Sequence, residues 1–265
     1  MSIPESQLLT GQVAIISGAV GDIGSAICLE LARRGADIAV GDIVEVEKAA
    51  PLLEKIQNLG RKARYDCVDV ADENAVGAWI ENVEAELGVA SLVIPTAAIV
   101  TLSGPRTISS EEWSRELDVN LTGAFHMAQA GALRLLHHKK PGRIVFVGSW
   151  VGHAPQPNIM AYCVSKAGMR MMCRCMARDF APNGILVNEV APGNVDAGLT
   201  AKIWEEHPDE RDWSQQQVPI RQHNMADDVA FQVAHLCDPR NTQMTGTTII
   251  MDGGLSLLSY RAKDI

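Results

Sequence analysis

Short apolar runs that alternate with longer segments of helical period constrain the fold of this chain more than any other feature. Seven of these runs are bounded by turn residues and predict strands, at residues 13–17, 37–40, 63–68, 91–94, 143–148, 185–190 and 247–251. Strands that alternate with helices are typical of βαβ units. The sequence therefore predicts an α/β fold with one doubly wound, seven-stranded parallel sheet and helices on both of its faces.

The chain length fits one domain, because a single α/β domain of about 200 to 250 residues is common. The 265 residues contain no repeat, linker or low-complexity tract. Helices are predicted at residues 25–34, 111–132 and 161–180, and we treat residues 1–265 as one catalytic domain. The polar stretch at residues 196–217 fits neither a strand nor a tight turn, and we expect it to cover the substrate.

Charge and cysteine usage disfavour several classes of function. Lys and Arg number 23 against 32 Asp and Glu, a net charge of −9, so neither a nucleic acid nor an anionic membrane is an expected partner. The six cysteines form no C-x-x-C pair, and we expect free thiols in a reducing compartment and no metal site. No signal peptide or membrane span is evident, so the predicted location is the cytoplasm.

A glycine-rich loop, SGAVGDIG, leaves the first predicted strand and opens a helix. Its backbone N–H groups and the positive end of the helix dipole suit a pyrophosphate. Asp42 follows the second strand, 18 residues after Gly24, where a carboxylate accepts hydrogen bonds from the adenosine ribose and repels a 2′-phosphate. Neither Gly21 nor Ile43 supplies a basic group, so the sequence predicts NAD rather than NADP, unless Asp42 merely caps a turn.

Tyr162 and Lys166 lie four residues apart, which places them on one face of a predicted helix. A phenol with its usual pKa near 10 is a poor base at neutral pH unless a cation stabilises the phenolate. The Y-x-x-x-K pattern alone is common by chance, and two unrelated helix residues would produce it equally well.

Other motifs occur with this pair in a fixed order. Ser149 ends the fifth predicted strand, 13 residues before Tyr162, and Asn120 lies in DVNLTG. With the glycine loop, they are accompanied by Asp69-Val70, Pro192-Gly193, VPIRQ at residues 218–222 and TGTTIIMDGG near the end. This ordered set resembles the short-chain dehydrogenase/reductase family over about residues 9–254, which implies a single-domain Rossmann fold.

The resemblance implies four catalytic residues. Tyr162 is expected to be the general acid/base on the substrate oxygen, and Lys166 to lower its pKa and bind the nicotinamide ribose. Ser149 is expected to hold the substrate oxygen, while Asn120 anchors a water molecule through which Lys166 exchanges protons with solvent. Hydride then passes between C4 of the nicotinamide ring and the substrate carbon.

The resemblance also implies the cofactor contacts. Asp69 and Val70 are expected to border the adenine, residues 96–98 the adjoining ribose, and the backbone of Val195 the nicotinamide carboxamide. The full cofactor-binding set implied is Gly18, Gly21, Asp22, Ile23, Gly24, Asp42, Asp69, Val70, Thr96, Ala97, Ala98, Tyr162, Lys166, Pro192, Gly193 and Val195.

Three positions depart from the family pattern. Ala98 replaces a glycine, so the loop must shift or adopt a permissive φ. Asp196 replaces a threonine, which leaves the usual side-chain contact to the cofactor in question. Asp22 replaces the middle glycine of the first loop, and we expect its carboxylate to face outward, cap the following helix and add to the bias against NADP.

The substrate pocket is expected after Ser149 and in the segment that follows the sixth strand. The candidates are Ser149, Trp150, His153, Gln156, Asn158, Asn194, Trp204, His207 and Trp213. Indoles, imidazoles and amides suit a polar, hydroxylated small molecule such as a sugar or polyol, although each Trp would equally serve to cover a helix or a subunit contact.

The sequence therefore predicts an NAD-dependent oxidoreductase that interconverts a secondary alcohol and a ketone, or a sugar hemiacetal and a lactone. One alternative is a 3-oxoacyl thioester reductase, which Asp42 disfavours because such reductases generally use NADPH. Another is a dinucleotide-sensing protein without turnover, which the four catalytic residues disfavour. The resemblance also implies a homotetramer, and the methionine-rich face at residues 167–177 is consistent with burial in one.

Overall fold

A parallel β-sheet of seven strands runs through the centre of the molecule. The computed structural model describes residues 4–206 and 208–257. The sheet order is β3-β2-β1-β4-β5-β6-β7, and all of its neighbouring strands pair in parallel. The strands are β1 Val13–Ser17, β2 Asp37–Asp42, β3 Ala63–Cys67, β4 Leu92–Ile94, β5 Gly142–Val147, β6 Ile185–Pro192 and β7 Thr248–Met251. The predicted doubly wound α/β fold is confirmed.

Helices cover both faces of the sheet. They are α1 Asp22–Arg33, α2 Val46–Asn58, α3 Glu73–Leu87, α4 Ser110–Leu117, α5 Gly123–His137, α6 Met160–Phe180, α7 Gly198–Glu206, α8 Pro208–Gln217 and α9 Ala226–Cys237. Successive side chains of a strand point to opposite faces. Ile16 accordingly packs in the core under α1, α2 and α9, while its neighbour Ile15 packs in the core under α3, α5 and α6.

The helix predicted at residues 111–132 is interrupted. A π-helical turn, Asp118–Thr122, joins α4 to α5, and its N–H···O bond runs from Gly123 to Asp118. The predicted site residue Asn120 lies inside this turn, where its side chain bonds to the backbone of a neighbouring loop. π-turns of this kind are frequent at functional sites, and periodicity alone cannot reveal them.

The stretch at residues 196–217 is largely helical, as α7 and α8, rather than an irregular loop. Within the described residues, no helix is long and apolar enough to cross a membrane.

Close contact between helix and sheet allows a matched pair of glycine substitutions. A Cβ on Gly131 of α5 would lie 2.7 Å from Val93 Cγ2, whereas a Cβ on Gly77 of α3 would meet nothing within 4 Å. We expect Gly131→Ala to destabilise the protein by about 1–3 kcal/mol through overpacking. Gly77→Ala should stabilise it by about 0.5–1 kcal/mol, because alanine loses less backbone entropy in a helix. Urea unfolding of the two variants checks this, and equal effects would contradict the packing described.

Candidate active site

One cleft of about 880 Å³ lies at the carboxyl ends of β1, β4, β5 and β6. All residues that the sequence predicted as cofactor-binding line it, from the glycine loop at one end to Tyr162 and Lys166 at the other. The cleft opens where the strand order reverses between β1 and β4, because the loops after these two strands run to opposite sides of the sheet.

The glycine loop is packed so closely that side chains would not fit. Gly18 has a φ of +60°, and a Cβ on it would lie 2.7 Å from Ala97 Cα. A Cβ on Gly24 would lie 2.2 Å from the Gly18 carbonyl oxygen. The Ser17 hydroxyl accepts hydrogen bonds from the N–H groups of Thr96 (3.1 Å) and Ala97 (3.3 Å), which ties this loop to the loop after β4. The resulting cradle of backbone at the start of α1 fits a diphosphate.

Asp42 is held rigidly at the edge of the cleft. Its Oδ2 accepts from the Val20 N–H at 2.9 Å, and its Oδ1 accepts from the Ile43 N–H at 2.8 Å. Asp42 therefore does cap a turn, which was the alternative to a role in ribose binding. Each carboxylate oxygen can accept more than one hydrogen bond, so capacity remains for ribose hydroxyls.

The predicted role of Asp22 as a helix cap is wrong. The N-terminus of α1 has no side-chain cap, and Asp22 is its first helical residue. The Oδ2 of Asp22 accepts instead from the N–H of Gly198, the first residue of α7, at 2.5 Å. The side chain thus links the glycine loop to the segment at residues 196–217, a long-range contact that local sequence did not indicate.

The other two departures from the family pattern also have a structural explanation. Ala98 needs no left-handed φ, and its exposed side chain borders the open cleft. The Asp196 carboxylate pairs with Arg211 of α8 and lies outside the cleft lining. Asp196 therefore links the start of the segment at residues 196–217 to α8.

Tyr162 and Lys166 lie on one face of α6, as predicted, with Lys166 Nζ 5.4 Å from the centroid of the Tyr162 ring. Lys166 is 2% exposed, and its Nζ donates to the Val147 carbonyl oxygen at 2.9 Å. Burial lowers the pKa of Lys166 to about 8, against the opposite effect of Glu189 and Glu116. Burial also raises the pKa of Tyr162 to about 12, against a hydrogen bond from Ser149.

Ser149 follows β5 and is held from behind by a buried ion pair. Its carbonyl oxygen accepts from Arg170 Nη2 at 3.0 Å, and the Arg170 Nε donates to Glu189 Oε2 at 2.9 Å. Glu189 is fully buried in β6 and also accepts from the Thr248 hydroxyl at 2.7 Å. No sequence motif predicted this ion pair, although a glutamate inside the apolar strand β6 is a visible signal of it.

Asn120 lies behind the cleft lining and is fully buried. Its Oδ1 accepts from the Ile99 N–H and its Nδ2 donates to the Ile99 carbonyl oxygen, both at 2.8 Å. Nδ2 also donates to Ser165 Oγ at 3.3 Å. The amide therefore fastens the loop after β4 to α6 beside Lys166.

Known proteins are similar to this chain over nearly its whole length. A family model described as enoyl-(acyl carrier protein) reductase matches residues 18–256. Short-chain dehydrogenase/reductase eriH of Hericium erinaceus is 34% identical over 245 residues, which is 91% of this chain and 96% of that protein. The chain belongs to the short-chain dehydrogenase/reductase family.

Two solved structures are similar to this short-chain dehydrogenase/reductase. NAD⁺-bound xylitol dehydrogenase has a TM-score of 0.87 at 27% identity, with 93% of this chain and 99% of that chain covered. Carveol dehydrogenase from Mycobacterium avium in complex with NAD has a TM-score of 0.90 at 26% identity, with 95% and 100% covered. The predicted family is thus confirmed, and its members support a nicotinamide dinucleotide cofactor.

The substrate end of this short-chain dehydrogenase/reductase differs from the prediction. Ser149, Trp150 and Asn194 line the cleft, but His153 and Gln156 are exposed outside it, as is Asn158. Trp204 is 7% exposed because its ring stacks on His223, with centroids 4.2 Å apart, and Trp213 is exposed on α8. His207 lies outside the described residues. Five apolar residues that were not predicted also line the cleft, namely Ile99, Val100, Leu102, Val151 and Ile159.

The contact between Asp22 and Gly198 predicts a local effect on α7. We expect Asp22→Ala to speed amide hydrogen exchange of residues 198–206 about fivefold, since an exposed hydrogen bond to a carboxylate contributes about 1 kcal/mol. The strands should exchange as before. Asp22→Asn, which keeps an acceptor oxygen, is the control. Unchanged exchange in α7 of the alanine variant would show that the contact does not hold the segment.

Proposed function

We propose that the protein is an NAD-dependent oxidoreductase that interconverts a secondary alcohol and a ketone, with Tyr162 as the general acid/base. The observation that carries this proposal is the layout of one cleft. Tyr162, Lys166 and Ser149 lie at one end, and the glycine cradle and Asp42 lie at the other. One continuous cleft that contains both groups of residues suits an extended dinucleotide whose reactive ring would lie beside the phenol.

When bound, NAD supplies the hydride acceptor for alcohol oxidation. The Ser149 hydroxyl donates a hydrogen bond to the substrate oxygen and fixes its position. Tyr162 takes the hydroxyl proton as the phenolate. Burial holds the pKa of Tyr162 at about 12, and the positive charges of Lys166 and of a bound nicotinamide ring would oppose that effect. Because Lys166 has a pKa of about 8, it keeps its charge at neutral pH. In the reverse direction Tyr162 donates the proton to the ketone oxygen.

Asp42 supports the choice of NAD over NADP. Both of its oxygens already accept backbone hydrogen bonds, so the carboxylate cannot swing away from an incoming 2′-phosphate. The cleft residues beside it, Ile43 and Val44, are apolar, so they offer no compensating charge. Arg115, a cationic residue of the cleft lining, already pairs with Asp69 at 3.1 Å.

Replacement of Asp42 tests the cofactor preference. The native protein should bind NADH more tightly than NADPH, as measured by fluorescence titration. Asp42→Ala should weaken NADH binding about tenfold, since the lost hydrogen bonds to a charged group contribute about 1.5–3 kcal/mol. The variant should also show a smaller preference for NADH over NADPH, or prefer NADPH. Glu45→Ala, an equal change of charge on the adjoining loop, is the control. Tighter binding of NADPH by the native protein would contradict this role of Asp42.

The cleft walls favour an alcohol carried on an apolar skeleton as substrate. Ile99, Val100, Leu102, Val151 and Ile159 line the same cleft as Ser149, and the Val151 N–H donates to the Ser149 hydroxyl at 3.4 Å. Several of the residues that pointed to a sugar lie elsewhere. An alicyclic alcohol would leave few polar groups unpaired in such a site, whereas each unpaired sugar hydroxyl would lose its hydrogen bonds to water. Similarity to carveol dehydrogenase supports this substrate class.

A sugar or polyol is the second candidate. Asn194 and Trp150 line the cleft and can contact hydroxyl groups, and the similarity to xylitol dehydrogenase supports this candidate.

A 3-oxoacyl thioester reductase is supported by the description of the matching family model, but Asp42 disfavours the NADPH that such reductases generally use. A sensor without turnover would not need Ser149, Tyr162 and Lys166 together.

Absorbance at 340 nm identifies the substrate class. With NAD and a panel of alicyclic alcohols, hydroxysteroids, polyols, aldoses and hydroxyacyl thioesters, we expect the alicyclic alcohols or hydroxysteroids to give the highest kcat/KM. Tyr162→Phe should reduce kcat by at least about a hundredfold without changing NADH affinity, because it removes only the acid/base group. Substantial activity in Tyr162→Phe would overturn the mechanism, and polyol turnover alone would overturn the apolar substrate.

We further propose a homotetramer in a reducing compartment, as in the cytoplasm. Two separate faces carry exposed apolar side chains, Phe125, Leu133 and Met171 on α5 and α6, and Met225, Phe231 and Ile250 around α9 and β7. Two different self-complementary contacts on one chain are what a tetramer with dihedral symmetry requires. All six cysteines are free, which supports the compartment.

A further inference from the structure

Arg170 and Glu189 form a buried ion pair next to Ser149. The side chain of Glu189, on β6, is 0% exposed, and that of Arg170, on α6, is 16% exposed. Arg170 Nε donates to Glu189 Oε2 at 2.9 Å, and Arg170 Nη2 donates to Oε1 at 3.2 Å. The Thr248 hydroxyl also donates to Oε2, at 2.7 Å. Both carboxylate oxygens are therefore paired, and the two forked groups are held in one relative geometry.

The ion pair contacts two successive residues of the cleft wall. Arg170 Nη2 donates to the Ser149 carbonyl oxygen at 3.0 Å, so one guanidinium joins Ser149 to Glu189. A Cβ on Gly148 would overlap Glu189 Oε1, so only glycine fits against this carboxylate. Gly148 and Ser149 both line the cleft, whereas Arg170 and Glu189 do not. The pair can therefore affect a reaction in the cleft only through the residues that it supports.

The spacing of two cationic residues on α6 matches the spacing of the backbone that they bind. Lys166 Nζ donates to the Val147 carbonyl oxygen, and Arg170, one helical turn later, donates to that of Ser149. Four residues of a helix rise about 6 Å, and two residues of extended chain span about 6.6 Å. The two contacts therefore keep α6 in register with the end of β5. Tyr162 lies one turn before Lys166, so this register also places its phenol relative to Ser149.

Stability alone does not explain a buried ion pair at this place. Desolvation offsets most of the attraction between two buried charges, and apolar residues of similar volume often stabilise a protein as well or better. The sequence of β6, ILVNEVAP, is otherwise mostly apolar, so an aliphatic side chain would suit the strand at position 189. What an apolar pair would lack is a donor for the Ser149 carbonyl oxygen.

We propose that Arg170 and Glu189 are positioning residues for the proposed reaction and act through Ser149. The inference rests on the proposed function. Glu189 orients the guanidinium of Arg170, and Arg170 fixes the main chain of Ser149 against α6. The Ser149 hydroxyl and the Tyr162 phenol are thereby directed at the same substrate oxygen. A displacement of a reacting group by about 1 Å is enough to cost up to about a hundredfold in rate.

The effect of the pair is expected on kcat rather than on KM. The hydrogen bond from Ser149 strengthens as negative charge develops on the substrate oxygen, so a misplaced hydroxyl weakens binding of the transition state more than that of the substrate. Cofactor affinity should not depend on the pair, because the glycine loop and Asp42 lie on the other side of the cleft, after β1 and β2.

Replacement of the whole pair separates positioning from stability. Arg170→Met/Glu189→Val leaves no buried charge unpaired, and its midpoint of urea unfolding should equal or exceed that of the native protein. With NAD and the best alcohol of the panel, its kcat should fall about ten- to a hundredfold, while KM changes less than about threefold. NADH affinity, measured by fluorescence titration, should stay within about twofold of the native value.

A second ion pair of the same kind provides the matched control. Arg134 of α5 binds Glu84 of α3 through Nε and Nη2, both at 2.7 Å, and neither residue lines the cleft. Arg134→Met/Glu84→Leu should leave kcat unchanged.

A double-mutant cycle tests whether the effect passes through Ser149. Ser149→Ala should lower kcat by itself. Addition of Arg170→Met/Glu189→Val to Ser149→Ala should lower kcat no further, because a missing hydroxyl cannot be misplaced. A loss by the same factor with and without the Ser149 hydroxyl would overturn the proposed route.

The outcomes distinguish this inference from the proposed function. If the native protein oxidises no alcohol, the proposed function fails and the positioning role with it. If the native protein is active and the stable paired variant keeps the native kcat, only the positioning role is overturned. If the paired variant does not fold, Arg170→Lys takes its place, because lysine keeps the charge beside Glu189 but lacks the planar fork. Native kcat in Arg170→Lys would overturn the role as well.

Discussion

The reversal of strand order beside β1 is the constraint on which the rest of the structure depends. From β1 the chain winds outward through β2 and β3, then returns to β4 on the other side of β1 and winds outward through β5, β6 and β7. The loops after β1 and β4 consequently separate, and a crevice must open between them. The Ser17 hydroxyl closes the base of that crevice with hydrogen bonds to two N–H groups of the opposite loop. The residues that we assign to cofactor and substrate binding line the cleft at this edge of the sheet.

Burial of charge is concentrated at the catalytic end. Lys166, Glu116 and Glu189 are nearly or fully excluded from solvent, and Arg170 is close behind them. Desolvation of such groups costs several kcal/mol each, and only close partners offset it. Glu189 and Arg170 offset each other, so they serve as a rigid support for Ser149. Lys166 and Glu116 are only partly compensated, which leaves their protonation responsive to a neighbouring reaction.

The fold and the cofactor end were predictable from sequence because their determinants are local or follow from strand order. Apolar runs marked each strand, and residues that follow parallel strands must meet at one edge of the sheet. The substrate end was not predictable in this way. Trp204 stacks on His223 and Asp22 bonds to Gly198, and both contacts join residues far apart in sequence, while His153 is exposed. The apolar wall residues Ile99 and Ile159 carry no motif, and only their positions in space mark them.

The π-turn at Asp118–Thr122 determines how the faces of α4 and α5 are rotated relative to each other about the helix axis. A turn closed by an i→i+5 bond holds one residue more than an α-helical turn, so the faces of α4 and α5 are offset by about 100° from those of a continuous helix. That offset lets Glu116 and Asn120 face the loop after β4, where they accept from the N–H groups of Thr101 and Ile99, while Met127 and Leu135 pack against the sheet. Deletion of one residue here would restore regular geometry and bring the two faces out of register. The segment is therefore fixed in length as strictly as a core strand.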